Sequence, residues 1–131
     1  MIVVDASVIV TALGGDGPDG ERCRGRLAGE TLTAPHLLDV EVVSAWRRLA
    51  AAGRLDERRA AFARADLRAL RIQRVPHAPL LERSWELRGN LTSYDAMYVS
   101  LAELVDAPLL TADTKLALTP GPRCTIELLD F

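Results

Sequence analysis

Four acidic side chains stand where predicted strands and helices begin or end: Asp5, Glu41, Asp95 and Asp113. Asp5 closes the short apolar run IVV, and Asp113 follows the apolar run LLTA. Asp95 lies in the first turn of a predicted helix, and Glu41 lies early in another. Carboxylate oxygens are the ligands that hard divalent ions prefer, so such a cluster suits Mg²⁺ or Mn²⁺. An ion held in this way supports attack of water on a phosphodiester.

Each acid taken singly also has a structural interpretation. Asp is a favoured helix N-cap, which suits Asp5 before Ala6 and Asp113 before Thr114. Asp95 complements the positive end of a helix dipole, and Glu41 suits a solvated helix face. The residues alone leave both interpretations open. Several carboxylates in one place would repel one another without a cation between them, so their convergence would favour the site.

The hydrophobic pattern predicts strands alternating with helices. Strands are predicted near residues 1–5, 31–34, 71–75, 108–111 and 125–129. Helices are predicted over 6–13, 21–27, 36–52, 56–70, 79–88, 94–105 and 113–118, with a loop at 14–20 and Ser93 as the cap of helix 94–105. This alternation indicates one α/β domain over residues 1–131, a three-layer sandwich with a mainly parallel central sheet flanked by helices. Because parallel strands end at one edge of a sheet, the four acids are expected to meet there.

Composition sets bounds on the class of protein. Hydrophobic residues make up 49% and charged residues 26% of the 131 residues, which is typical of a soluble globular protein. The net charge of −2 gives no overall basic field. One segment, 47–74, carries nine arginines against three acids, either as a solvated face or as an arm that binds phosphates or a partner chain. Cys23 and Cys124 lie far apart without a nearby His, which argues against zinc or redox motifs.

Nothing in the sequence indicates secretion or a membrane. The N-terminus lacks the basic region and small-residue cleavage site of a signal peptide. No apolar run approaches the roughly 18–20 residues that a spanning helix needs. A cytoplasmic protein is expected.

Three segments carry a resemblance to a known family: IVVDASVIV, PHLLDVEV and TSYDAMYVSLAELVDAPLLTAD. Together with the order and spacing of the four acids, they make the whole chain resemble the PIN-domain ribonucleases of the VapC type. These are toxins of bacterial and archaeal toxin–antitoxin pairs. The resemblance implies a PIN-like fold and an endoribonuclease that depends on Mg²⁺ or Mn²⁺. It also implies an RNA substrate, a cognate antitoxin and a homodimer partner.

The resemblance assigns roles to the acids. Asp5, Asp95 and Asp113 match the metal ligands, and all four acids match catalytic positions. Glu41 matches the residue that orients or deprotonates the attacking water.

Four further residues are candidates for supporting roles. Ser7 and Thr111 match small hydroxyl positions that hydrogen-bond the acids in the resembling family. Arg88 and Lys115 are candidate phosphate contacts because each lies close to one of the acids in sequence. Trp85 lies on an apolar helix face and is expected to pack in the core or in a dimer interface.

Two other functions compete with hydrolysis of RNA. A phosphatase of the haloacid-dehalogenase type needs a second Asp two positions after the first, where this chain has Ser7. The alternative from another class is a non-catalytic RNA-binding or assembly module with the same fold. The complete set of acids argues against that module, because an RNA-binding surface has no reason to gather negative charge without a metal.

Overall fold

A five-stranded parallel sheet forms the centre of the computed structural model, which describes all residues 1–131. The strands are β1 (Ile2–Val4), β2 (Leu32–Pro35), β3 (Ile72–Val75), β4 (Leu109–Thr111) and β5 (Ile126–Leu128). Their order across the sheet is β3-β2-β1-β4-β5, and every neighbouring pair is parallel. The predicted parallel sheet is confirmed.

Helices flank the sheet in two groups and complete the predicted three-layer α/β sandwich. They are α1 (Ala6–Gly14), α2 (Pro18–Leu27), α3 (Leu37–Ala51), α4 (Glu57–Ala69), α5 (Leu81–Glu86), α6 (Ser93–Leu104) and α7 (Thr114–Leu118). Helices α1 to α4 pack against one another, whereas α5 packs against α6. None of these helices has both the length and the apolar composition needed to cross a membrane.

The central strands β1 and β4 are buried along their whole length. Covered by helices on both faces, they are continuous apolar runs instead of alternating ones. Their side chains belong to one hydrophobic core of 30 buried residues. Polar residues are buried where these two strands end: Asp5 is 7% exposed and Thr111 is fully buried. The sheet thus passes directly from its apolar interior into a polar edge.

Three local predictions were wrong in detail. The predicted loop 14–20 ends early, since α2 begins at Pro18 with Gly17 as its N-cap, a common place for proline. Thr92, not Ser93, caps α6, and its Oγ1 accepts a hydrogen bond of 3.2 Å from the Asp95 N–H. The single helix predicted over 79–88 is a 3₁₀ turn at Ala78–Leu80 followed by the short α5.

The strand order creates a crevice at one particular point of the sheet edge. From β1 the chain crosses to β2 and β3 on one side, and later to β4 and β5 on the other. In open parallel sheets the space outside the strand ends at such a reversal is where ligands bind. The Asp5 N–H continues the ladder beyond β1 by donating to the Leu110 carbonyl at 2.9 Å. Asp5 is therefore held at the reversal point by this backbone hydrogen bond and by its position directly after β1.

Candidate functional site

All four predicted acids line one concavity, here called the acid pocket, of about 380 Å³ at the carboxyl ends of β1 and β4. Asp5 directly follows β1, and Asp113 follows β4 after one intervening residue. Asp95 comes from the first turn of α6, and Glu41 from the second turn of α3. The structure thus brings together side chains that span more than a hundred residues of sequence, at the reversal point of the sheet.

A network of hydroxyl groups holds the Asp5 carboxylate. Ser7 Oγ and Thr111 Oγ1 both donate to Asp5 Oδ2, at 2.7 and 2.8 Å. The hydroxyls are held in turn by backbone donors, Ala112 N–H to Ser7 Oγ and Asp113 N–H to Thr111 Oγ1, both at 3.0 Å. The Asp5 side chain makes no capping hydrogen bond to α1. Its carboxylate is therefore oriented by the ends of β1 and β4, and its Oδ1 is bound by no side-chain donor.

Asp113 fulfils the capping interpretation as well as lining the acid pocket. Its Oδ1 accepts the N–H groups of Lys115 at 2.9 Å and Leu116 at 3.4 Å, which caps α7. These bonds leave Oδ2 without a hydrogen-bond partner and fix the orientation of the carboxylate. A helix cap and a ligand position are compatible here, because each uses a different oxygen.

Glu41 is held by a residue that was not predicted to lie in the site. Tyr98 is fully buried, and its hydroxyl donates to Glu41 Oε1 at 2.7 Å. Burial and the nearby charge of Glu41 raise the pKa of Tyr98, so the hydroxyl keeps its proton and remains a donor. Tyr98 lies three residues after Asp95 on α6, and residues with this spacing share a helix face. The three-residue spacing from Asp95 was the feature of the sequence that could have identified Tyr98 as part of the site.

The electrostatics of the acid pocket favour a cation. Burial raises the pKa of Asp5, Glu41 and Asp95, and the charges of neighbouring acids raise these pKa values further. The structure contains seven ion pairs, and none of them includes any of the four acids. The pocket therefore concentrates negative charge that no ion pair neutralises.

The donor set fits a hard divalent ion, although the side chains are not arranged around one. No His or Cys lines the pocket, and its acidic side chains offer carboxylate oxygens, the ligands that Mg²⁺ and Mn²⁺ prefer. No three acidic, His or Cys side chains are grouped as they would be around a bound metal.

The cations near the acids differ from those expected. The Arg88 guanidinium does not line the acid pocket and lies 4.4 Å from the centroid of the Trp85 ring. Trp85 itself is 65% exposed and therefore does not pack in the core. Lys115 does not line the pocket, but its charge lowers the pKa of Asp95. The one cation that does line it is Arg48, seven residues after Glu41 on α3, which was not among the candidates predicted from the sequence.

Comparison with known proteins agrees with this fold. The model of the PIN domain family matches residues 2–122. Ribonuclease VapC1 of Mycobacterium tuberculosis is 46% identical over 127 residues, 96% of each chain. The crystal structure of PAE2754 from Pyrobaculum aerophilum is similar with a TM-score of 0.68 at 27% identity, covering 95% of this chain and 81% of that one. A toxin–antitoxin complex from Klebsiella pneumoniae has a chain with a TM-score of 0.69 at 17% identity, covering 100% of both chains.

The doubly wound parallel sheet with carboxylates at its reversal point places the molecule in a class of α/β proteins with a strand-end site. The family match covers most of the sequence, and the chain belongs to the PIN-domain family. Within that family it is of the VapC type.

Proposed function

We propose that this protein is a metal-dependent endoribonuclease and the toxin of a toxin–antitoxin pair. It would hydrolyse RNA phosphodiester bonds with water activated at the acid pocket. The observation that carries the proposal is the convergence of Asp5, Glu41, Asp95 and Asp113, none of them ion-paired, at the reversal point of the sheet. The name of the VapC1 ribonuclease, at 46% identity over nearly the whole chain, supports the assignment.

Asp5, Asp95 and Asp113 are the residues that would hold Mg²⁺ or Mn²⁺. When bound, such an ion supplies positive charge to phosphate oxygens and lowers the pKa of water. Ser7 and Thr111 hold Asp5 Oδ2, which leaves Oδ1 without a side-chain donor. Asp113 presents Oδ2 while α7 holds its Oδ1. The chain thus orients two of the three proposed ligands before any ion arrives.

Glu41 is proposed as the group that accepts a proton from the attacking water. Tyr98 fixes Oε1, which leaves Oε2 available to a water molecule in the acid pocket. Burial raises the pKa of Glu41, which strengthens its carboxylate as a base. Bases work best when their pKa lies near the working pH, so this shift is in the useful direction.

The direct test is cleavage of a mixed pool of tRNA and rRNA by the purified protein with Mg²⁺, with Mn²⁺ or with EDTA. We expect discrete fragments with either ion, none in EDTA, and recovery when the ion is added back in excess. Electrophoresis of the products measures all three results. Cleavage that continues in EDTA would contradict the metal requirement. Equal cleavage by wild type and the Asp5→Asn variant would indicate a contaminating nuclease.

A second test concerns the hydroxyl network. Thr111→Val keeps the shape of the side chain but removes the donor to Asp5 Oδ2 and the acceptor of the Asp113 N–H. Loss of groups that orient metal ligands typically costs about 10- to 100-fold, so we expect a fall of that size in the cleavage rate. Isothermal titration with Mn²⁺ should show weaker binding.

Thr33→Val is the matched control for this substitution. Thr33 is also a buried strand threonine, and its hydroxyl donates to the Gln73 carbonyl at 2.9 Å, away from the acid pocket. Thr33→Val should destabilise the protein without lowering the cleavage rate of the folded fraction. Equal losses of rate in both variants would show that Thr111 acts only through folding.

We also propose that the protein binds a cognate antitoxin and forms a homodimer. The Klebsiella pneumoniae protein, whose chain has a similar fold, was solved as a toxin–antitoxin complex, which supports the first. Apolar side chains are exposed on the hairpin of α3 and α4 (Val40, Val43 and Phe62), and this surface is suited to an antitoxin segment. Light scattering of the purified chain, alone and with a co-expressed antitoxin, measures both associations.

A further inference from the structure

The acid pocket continues into a second concavity along α1 and α3. This continuation has a volume of about 280 Å³ and shares Val10 and Thr11 with the acid pocket. It runs past the end of α1 to Leu49 and Arg54, at and beyond the last turns of α3. The two concavities are adjacent at Val10 and Thr11, and together they are here called the α1–α3 cleft, which extends away from the four acids.

Two arginines line this cleft without a carboxylate partner. Arg48 lines the acid pocket, and Arg54 lines the continuation, where Asp19 is the one acidic residue. Neither takes part in any of the seven ion pairs, and the only side-chain partner of the Arg48 guanidinium is Ser44 Oγ at 3.1 Å. By contrast, Arg59 on α4 and Arg74 on β3 are held by carboxylates. The cleft thus presents two cations that the fold leaves without a carboxylate partner.

The spacing along α3 separates these cations from the acids. Glu41, Ala45 and Arg48 line the pocket at i, i+4 and i+7, which places them on one helix face. Seven residues of helix rise about 10 Å, so the backbone of Arg48 lies about two turns beyond Glu41 along α3. Arg48 forms no ion pair with Asp5, Glu41 or Asp95. Its charge is therefore available to a ligand that extends from the acids into the cleft.

We propose that the α1–α3 cleft binds one flank of the RNA strand, with Arg48 and Arg54 contacting phosphates next to the one being cleaved. The proposal rests on the nuclease function and specifies which side of the acid pocket the substrate occupies. Guanidinium groups match phosphate geometry with paired hydrogen bonds, so arginine suits this position. Contacts of this kind fix the register of a strand and do not read its bases.

Binding can be measured separately from cleavage in the Asp5→Asn background. The probe is a fluorescently labelled oligoribonucleotide of about 16 nucleotides, with affinity measured by anisotropy in Mg²⁺ over a series of salt concentrations. Adding Arg48→Gln or Arg54→Gln should weaken binding about three- to tenfold. Each should also reduce the dependence of log affinity on log salt by about 0.7, the amount for one phosphate contact on a single strand.

Arg47→Gln is the matched control. Arg47 is the neighbour of Arg48 on α3, is exposed and lines neither part of the cleft, yet its loss changes the net charge equally. It should leave affinity and salt dependence within error of the parent. Equal weakening by Arg47→Gln would overturn the proposal in favour of general surface charge. Unchanged RNA affinity in the Arg48 and Arg54 variants would also overturn it, and would leave a protein segment as the ligand of these cations.

A second measurement locates the contact on the RNA. Uncharged methylphosphonate replaces one phosphate at a time, and each probe is tested with and without Arg48→Gln. Arg48→Gln should weaken binding of every probe except the one whose methylphosphonate replaces the phosphate that Arg48 contacts. That linkage should lie on one side of the cleavage point. Coupling spread over all linkages would contradict a defined path. If wild type cleaves RNA but no linkage shows coupling, the proposed path is overturned and the nuclease function stands. If coupling is found but wild type cleaves no RNA, the nuclease function is overturned and the path stands.

Discussion

Replacing Asp5 by Asn is expected to abolish RNA cleavage while leaving the protein folded. Asparagine keeps an acceptor oxygen for the hydroxyls of Ser7 and Thr111, so the network around the side chain can persist. What it removes is the negative charge at the reversal point of the sheet. Since groups that only orient metal ligands are worth about 10- to 100-fold, loss of a ligand should cost at least a hundredfold in rate.

The same variant should be more stable than wild type in EDTA at neutral pH. Burial raises the pKa of Asp5, so the folded state binds this proton more tightly than the unfolded state does. The stability that Asp5 contributes is full at pH values below its unfolded pKa and is lost as the pH rises towards its folded pKa. Asn carries no charge and escapes that loss. The difference in melting temperature should therefore vanish in acid, where Asp5 is protonated in both states.

Asp66→Asn serves as the control for Asp5→Asn. Asp66 is an exposed aspartate on α4 that takes part in no ion pair, and its replacement should change neither rate nor melting temperature. If Asp5→Asn unfolds the chain instead, the residue acts mainly in structure, as the capping interpretation holds. If it folds and cleaves RNA at the wild-type rate, Asp5 is no metal ligand.

Much of the layered fold follows from local patterns. The IVV and LLT runs predict buried strands because an apolar strand without alternation needs cover on both faces. The order of the strands does not follow from such patterns. The contact between β1 and β4 joins residues more than a hundred positions apart, and nothing local in either segment specifies the other as its neighbour. That pairing creates the reversal point, so the exact place where the acids meet comes from the tertiary structure.

Residues that act through others were the hardest to identify from sequence. Asp5 and Asp113 are conspicuous because acids are unusual directly after apolar strands. Tyr98 looks like an ordinary core aromatic, and only the structure shows its hydroxyl at 2.7 Å from Glu41. Arg48 was one of nine arginines in segment 47–74, and composition could not separate the free cations from those held in ion pairs. Trp85 was expected to pack in the core or in a dimer interface because it lies on an apolar helix face, and its exposure beside Arg88 excludes the core.

Glu41→Gln should lower the cleavage rate by about 10²- to 10⁴-fold, the range for loss of a general base. Glutamine keeps an oxygen to accept the Tyr98 hydroxyl, so the helix α3 and its contact with α6 should be retained. Because the proton acceptor is gone, the remaining rate should rise with hydroxide concentration across the accessible pH range. Glu82→Gln, an exposed change on α5, should leave the rate unaltered. A Glu41→Gln variant within a few-fold of wild type would show that Glu41 lines the acid pocket without accepting the proton.

The pH profile of Tyr98→Phe tests the same role by a change in pKa. A base works only when deprotonated, so the wild-type rate should fall as acid protonates Glu41. This fall should occur at a higher pH than for an ordinary glutamate, because burial raises the pKa of Glu41. The Tyr98 hydroxyl opposes that rise, since its hydrogen bond favours the charged carboxylate. Its removal should move the acid limb of the profile to higher pH, while the rate on the plateau changes less than in Glu41→Gln. An unmoved limb would mean that a different acid sets the pH dependence, and the role of base would then pass from Glu41 to one of the other three carboxylates.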